Sequence, residues 1–218
     1  IEKDNCRHGE DIEYCRTHKV MNYFKQHSPL MKKYLEEQDA LRLIEDSLKL
    51  QSPSRVVYKI PVVFHVLHNG GPENISRDQI EDAVAILNRD YRLQNQDANN
   101  VVATFQGMPA DVEVEFALAT KAPNSQCFSG ITRTQSPLTN DGSNGLNQVS
   151  AIIAGNNVYN QSWPGNKYLN IFVVNDAGGA AGYTTNPSVF TGSSMNNGIW
   201  VQHDYVGSIG TSDTWSSR

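Results

Sequence analysis

The segment YLNIFVVND, from Tyr168 to Asp176, is an almost continuous run of apolar, branched and aromatic residues. Such a run predicts a central strand, because a strand with one wet face alternates polar with apolar positions. VVYKIPVVFHVLH, from Val56 to His68, predicts a second strand, and GGPENIS after it is turn chemistry. Ser76 and Gln79 then make a capping box for a helix whose apolar face is Ile80, Ala83, Val84, Leu87 and Tyr91, ending near Leu93. VEVEFALAT, from Val112 to Thr120, alternates Glu113 and Glu115 with apolar residues and predicts a strand with one wet face. A long Asn/Gly/Ser-rich stretch separates it from Tyr168. AAGYTTNP (Ala180 to Pro187) and GIWVQHDYV (Gly198 to Val206) predict two more strands. The expected fold class is α+β: a mixed, twisted sheet of about five strands with a packed helix.

Charge divides the chain sharply. Of the first 55 positions 20 are charged, against 21 of the other 163. Within the charged part, Ser28 as cap and Pro29 at the first helical position introduce an amphipathic helix reaching Leu50. Met31, Tyr34, Leu35, Leu41, Ile44 and Leu48 form its apolar side. The polar QSPSR, residues 51–55, reads as a linker, and Ser54 and Arg55 mark the expected region of proteolytic access. The domain boundary is therefore placed between residues 55 and 56.

A 218-residue chain with 39% hydrophobic residues can bury one sizeable core and a small second unit. Its net charge of -5 and the lack of a basic run with interleaved aromatics argue against nucleic acid as partner. No apolar stretch approaches the roughly 20 residues a membrane helix needs. Ile1 opens no charged-then-apolar leader, so the sequence is silent about targeting.

Candidate chemistry is sparse. His65 and His68 resemble a metal pair, but positions i and i+3 of a strand face opposite ways, which favours packed or edge histidines. His203 and Asp204, neighbours on an expected strand, meet the same objection. Asp141, Asn144 and Asn147 suggest oxygen ligands for calcium, yet DGSNGLN reads better as turn-forming loop. Neither G-x-S-x-G nor a phosphate-binding glycine loop nor C-x-x-C occurs. N-x-S matches at Asn74 and Asn160 are too short to decide anything.

Three cysteines, Cys6, Cys15 and Cys127, leave at least one thiol unpaired in the monomer. One reading ties the leader to the globular part through Cys6–Cys127 or Cys15–Cys127. The other makes a leader thiolate the ligand that blocks a catalytic zinc, displacing its water. A thiol enzyme built on Cys15 and His18 would sit in a charged leader with no evident oxyanion site.

The series IPVVFHVLH, ISRDQIEDAVAILNRDYR, GITRTQS, KYLNIFVVND, AGYTTNP and GIWVQHDYVGSIGTS, in that order and spacing, resembles the pappalysin family of metzincin zinc endopeptidases over roughly residues 56–218, and more loosely in the leader. The resemblance implies a metzincin-like upper subdomain behind a helical pro-segment, in a secreted protein made with a signal peptide. It also implies that the zinc motif H-E-x-x-H-x-x-G-x-x-H follows Arg218. Two of its histidines one helical turn apart would share a face, the Glu would act as general base, and the third His would complete the ligand set. On that reading residues 1–218 are a zymogen fragment, inactive alone, with no catalytic residue of their own and Arg218 as a cleavage point. The family's calcium sites lie mostly in the lower half, so calcium stays open.

The resemblance further implies an upper-rim edge strand, here AAGYTTNP, that aligns polypeptide substrate antiparallel through main-chain hydrogen bonds. Gly182, Tyr183 and Thr184 are the expected substrate-contact residues. Cys15, in Cys15-Arg16-Thr17, is the closest match to the family's inhibitory Cys-Gly-Thr element, with Cys6 second. Arg16 departs from it, since Gly allows a close backbone approach that Arg does not. The pro-segment is then an intramolecular inhibitor. The competing reading is an inactive secreted module that holds peptides on the same edge strand.

Overall fold

Tyr58–His68 forms strand β2, and the rest of the sheet is arranged around it. The computed structural model describes residues 13–27, 38, 40, 41, 56–185 and 190–213. In chain order these hold β1 (Glu13–Cys15), α1 (Thr17–His27), β2, α2 (Arg77–Tyr91), β3 (Val114–Leu118), β4 (Ile131–Gln135), α3 (Gly145–Gly155), β5 (Leu169–Val174), β6 (Ala180–Thr184) and β7 (Ile199–Gln202). One seven-stranded mixed sheet runs β1, β6, β7, β5, β2, β3, with β4 also paired to β2. Among the strands described, β6 and β7 pair antiparallel and the other pairings are parallel.

At 11 residues and about 3.3 Å each, β2 is long enough for two short partners in tandem along one side. Tyr58–Val62 pairs with β3 and Phe64–His68 with β4, while Val62–Val66 pairs with β5 on the opposite side. Pro61, which has no N–H to give, falls one residue before the β5 pairing begins. Gly130 makes the tandem joint. Its carbonyl accepts from Phe64 N–H at 2.9 Å, its φ is +78°, and a β-carbon there would lie 2.5 Å from that of Leu118. Glycine alone fits that approach without strain.

Parallel strands need crossovers, and α2 and α3 supply them on opposite faces. Val62, Phe64 and Val66 face one way, with Ile171, Val173, Phe116 and Ile131, and Ile80 of α2 packs in the same cluster. Val63 and Leu67 face the other way, with Phe172, Trp163, Trp200, and Val149 and Ile152 of α3. Both faces of Val62 to Leu67 in β2 and of nearly all of β5 are therefore dry, which explains their near-continuous apolar sequence.

His65 is fully buried on the α3 face, between Trp163 (centroids 5.4 Å apart) and Phe172 (5.6 Å). Asn170 donates Nδ2 to the Trp163 carbonyl at 3.1 Å, so its Oδ1, 3.0 Å from His65 Nε2, accepts. His65 Nδ1, 2.8 Å from Thr132 Oγ1, then accepts the hydroxyl proton, and the imidazole is neutral. Burial pushes its pKa down to about 4, partly opposed by the Asn170 bond. His65 is a core histidine. His68 is only partly buried and receives Gly70 N–H at Nδ1.

The mixed sheet agrees with expectation, and the five strands read from the sequence are β2, β3, β5, β6 and β7. Beyond them lie β1, β4, α1 and α3, of which β4 and α3 fall in the stretch taken as loop. DGSN is turn, with Asn144 capping α3 by accepting from Leu146 N–H (3.1 Å) and Asn147 N–H (3.3 Å), but Gly145 to Asn147 are already helix. Glu113 precedes β3 with φ of +57° rather than alternating within it. His203 and Asp204 lie on a 3-10 turn after β7, not on the strand. The expected Ser28–Leu50 helix lies outside the described residues except at Gln38, Ala40 and Leu41, which are helical. Residues 51–55 lie outside them as well.

Half of the capping box forms: Ser76 Oγ accepts from Gln79 N–H at 3.1 Å. The Gln79 side chain, 1% exposed, turns instead to the segment after β7. Its Nε2 lies 2.9 Å from the carbonyls of His203 and Val206, and its Oε1 accepts from Thr211 N–H at 3.1 Å. Asp82, one turn along, accepts Ser208 N–H at 2.6 Å and its hydroxyl at 2.9 Å. The polar edge of α2 thus fixes the path of residues 203–212.

Gln79→Leu should strip Thr211 N–H of its acceptor and leave the His203 and Val206 carbonyls with only Thr211 Oγ1 and Ser212 Oγ as donors, at a cost of about 1–3 kcal/mol. Amide exchange at Thr211 should rise while β5 stays protected; unchanged exchange at Thr211 would remove Gln79 as the anchor. For His65 the unfolded chain takes up a proton below about pH 6.5 that the folded chain refuses until about 4. Stability should therefore fall as pH drops through that window and level off below it, by up to about 3 kcal/mol from this group. Urea unfolding across pH 7 to 4 measures it, as the difference in slope between the native chain and His65→Leu.

Candidate functional site

The three residues expected to meet substrate, Gly182, Tyr183 and Thr184, lie together on β6. One side of β6 pairs with β7, in the register Gly182 to Val201, Tyr183 to Trp200 and Thr184 to Ile199. The other side is taken by the leader: β1 runs parallel to β6, with Glu13 opposite Ala180 and Cys15 opposite Gly182. The contact continues past the strand, where Arg16 N–H donates to the Gly182 carbonyl (3.5 Å) and Thr184 N–H to Thr17 Oγ1 (3.3 Å). Val20 of α1 packs on the α3-side core.

The side chains of β6 are committed elsewhere. Tyr183 is 9% exposed and lies flat on Trp200, centroids 4.9 Å apart and planes 7° from parallel. Burial pushes its hydroxyl pKa well above the usual range, with Arg16 pulling it down and Asp176 adding to the rise. Thr184 Oγ1 donates to the Gly198 carbonyl at 3.0 Å. A β-carbon on Gly182 would lie 2.6 Å from the Trp200 carbonyl oxygen. What β6 offers a neighbour is its main chain, which recognises an extended peptide without regard to side-chain identity.

Cys15 closes β1, directly opposite Gly182. Cys6, Ser54, Arg55 and Arg218 lie outside the described residues. Cys127 carries a free, exposed thiol, which overturns both disulfides proposed for it. Among the described residues no group of three His, Cys, Asp or Glu side chains is arranged to hold a metal, so they do not fit zinc unaided. Asp141 and Asn144 are engaged in turn and cap: Asp141 Oδ1 accepts from Ser143 Oγ at 2.6 Å. No described helix is long and apolar enough to cross a membrane.

Sequence reading missed the side chain that seats the leader. Arg16, noted only as a departure from glycine, reaches the carbonyls of Gly178 (3.1 Å) and Gly142 (3.3 Å) through Nη1. The signal available in the sequence was the glycine pair 178–179 just before β6.

Three solved structures that share this architecture are forms of mirolysin. Mature mirolysin of Tannerella forsythia, in complex with a cleaved peptide, aligns with a TM-score of 0.63 and 32% identity over 73% of this chain and 57% of its own. A promirolysin variant from the same organism aligns with a TM-score of 0.70 and 30% identity over 91% of this chain and 62% of its own. Mirolysin bound to a small compound gives a TM-score of 0.59 and 30% identity, covering 73% and 57%. The chain thus spans about three fifths of the length of the structures it matches. No family model matches the sequence, and no curated protein sequence does. With identity of 30–32% and the promirolysin fold shared across most of its length, the chain is similar to mirolysin, a metzincin of the pappalysin family.

Proposed function

We propose that this chain is the pro-segment and upper catalytic subdomain of a secreted, zinc-dependent endopeptidase, held latent by its own leader. One observation carries the reading: β1 occupies β6, the strand on which an extended polypeptide would pair. It lies parallel to β6, whereas substrate in this family is expected to run antiparallel. A segment laid on the edge in the reversed direction blocks it without presenting a peptide bond in the productive sense. Leader and substrate therefore exclude each other from the same main-chain groups. Alignment of the pro-form over 91% of this chain, against 73% for the mature form, supports a boundary near Ser54 and Arg55.

The zinc, its histidine ligands and the general base belong on this reading to sequence following Arg218. When bound, the metal would polarise the scissile carbonyl and activate a water. The residues of this chain do something separate: Gly182, Tyr183 and Thr184 align the peptide through backbone N–H and C=O, and α2 fixes residues 203–212 through Gln79 and Asp82. Cys15 is the proposed inhibitory thiolate, at the register position of Gly182. Cys6 is the second choice.

The natural polypeptide should carry H-E-x-x-H-x-x-G-x-x-H within about fifteen residues after Arg218, read by sequencing its message. A continuation without those ligands would leave an inactive peptide-binding module in place of the peptidase. In the full-length protein, Cys15→Ala should shorten the lag before cleavage of a quenched fluorescent peptide, and an unchanged lag rejects the thiolate switch.

A further inference from the structure

The Arg16 side chain spans 126 residues in sequence to reach Gly142 and 162 to reach Gly178, and both partners are main-chain carbonyls. Two carbonyl oxygens converging on one guanidinium nitrogen are an unusual provision, because a carbonyl outside regular structure normally points to water or to a turn partner. Here the space itself is made by an absent side chain. A β-carbon on Gly178, whose φ is +74°, would lie 1.5 Å from Arg16 Nη1.

The two loops that present these carbonyls are bonded to each other independently of Arg16. Thr139 accepts Asp176 N–H at its carbonyl (3.0 Å) and Asn175 N–H at Oγ1 (2.9 Å). Asn175 Nδ2 donates to Asn140 Oδ1 at 2.8 Å, and the buried Gln148 Nε2 donates to the Asp176 carbonyl at 3.0 Å. Asp176 Oδ1 accepts Gly179 N–H at 2.9 Å, and a β-carbon on Gly142 would meet both Asp176 and Gly178 N. The notch is thus preformed, and Asp176 places a carboxylate beside it. A preformed set of acceptors loses little freedom when it is filled.

We propose that the carbonyls of Gly142 and Gly178 form a guanidinium-binding notch beside the edge strand, and that Arg16 in this notch is a latch holding the leader on β6. The latch goes beyond the proposed peptidase activity and requires neither zinc nor catalysis. A guanidinium suits it because its planar fork carries N–H groups with fixed directions, which a lysine ammonium on a flexible stem does not. Glycine at position 16 could not reach it. The departure that Arg16 represents is therefore a second, metal-independent hold on the leader, next to Cys15 in sequence and separate from it in chemistry.

The test uses the whole chain and reads amide exchange of β6, residues 180–184, with β2 and β5 as the internal control for folding. Charge-assisted hydrogen bonds of this kind lead us to expect Arg16→Ala to speed exchange on β6 about tenfold or more, with β2 and β5 unchanged. Arg16→Lys should recover only a minor part of the protection. Gly178→Ala fills the notch and should release β6 in the native background, but add nothing in the Arg16→Ala background, since both changes remove the same contact. Exchange on β6 unaltered by Arg16→Ala, full protection with lysine, or additive effects of the two substitutions would each overturn the latch. Should Gly178→Ala unfold the control strands, the alanine and lysine variants at position 16 decide alone. None of these readouts depends on peptide cleavage, so failure of the latch and failure of the peptidase reading are distinct results.

Discussion

Everything in this fold follows from the main-chain pairing of one long parallel strand. β2 has partners along both sides, β5 on one and β3 then β4 on the other. Parallel partners cannot be joined by hairpins, so each pairing demands a crossover, and the crossovers cover both faces with α2 and α3. Where both faces are dry, from Val62 to Leu67 of β2 and along β5, every polar group must be satisfied internally. His65, Thr132 and Asn170 do this as a closed set, and the uncharged imidazole avoids the cost of a buried cation.

The other end of the sheet has the opposite problem. β6 runs against β7 and the strands beyond it, it has five residues, and without β1, which follows its direction, its outer main chain would be open to any extended peptide. Its side chains are fully used inward, Tyr183 against Trp200 and Thr184 against the Gly198 carbonyl, so its outer edge is purely backbone. A leader strand of three residues supplies few hydrogen bonds to cover it. The contacts that follow, from Arg16 and Thr17, extend the hold beyond the strand itself.

Legibility in the sequence tracked the range of the interaction concerned. β2, β5 and α2 were readable because their signals are local: branched runs, and an apolar face at helical spacing behind Ser76. α3 was not, since GLNQVSAIIAG carries no charge to contrast with its apolar face and follows a turn signal that Asn144 uses as a cap. ITRTQ was too short to stand out, and it is a strand only because the second half of β2 offers it a partner. Gln79 was read in the right place with half its role, because its second set of partners lies 124 residues and more along the chain. Of the candidate site, the strand β6, which carries Gly182, Tyr183 and Thr184, was foreseen as a strand. What occupies its edge, and Arg16 as the means, were not.

Local patterning by itself thus determined the strands that are buried on both sides, the capped amphipathic helix between them and the packed, inward-facing position of His65 on β2, since side-chain period and capping chemistry act within a few residues. Tertiary structure alone decided that β1 lies on β6, that Arg16 sits between Gly142 and Gly178, and that Gln79 steers residues 203–212. Those contacts join positions more than a hundred residues apart, and no periodicity of the chain records which distant carbonyl a side chain will find.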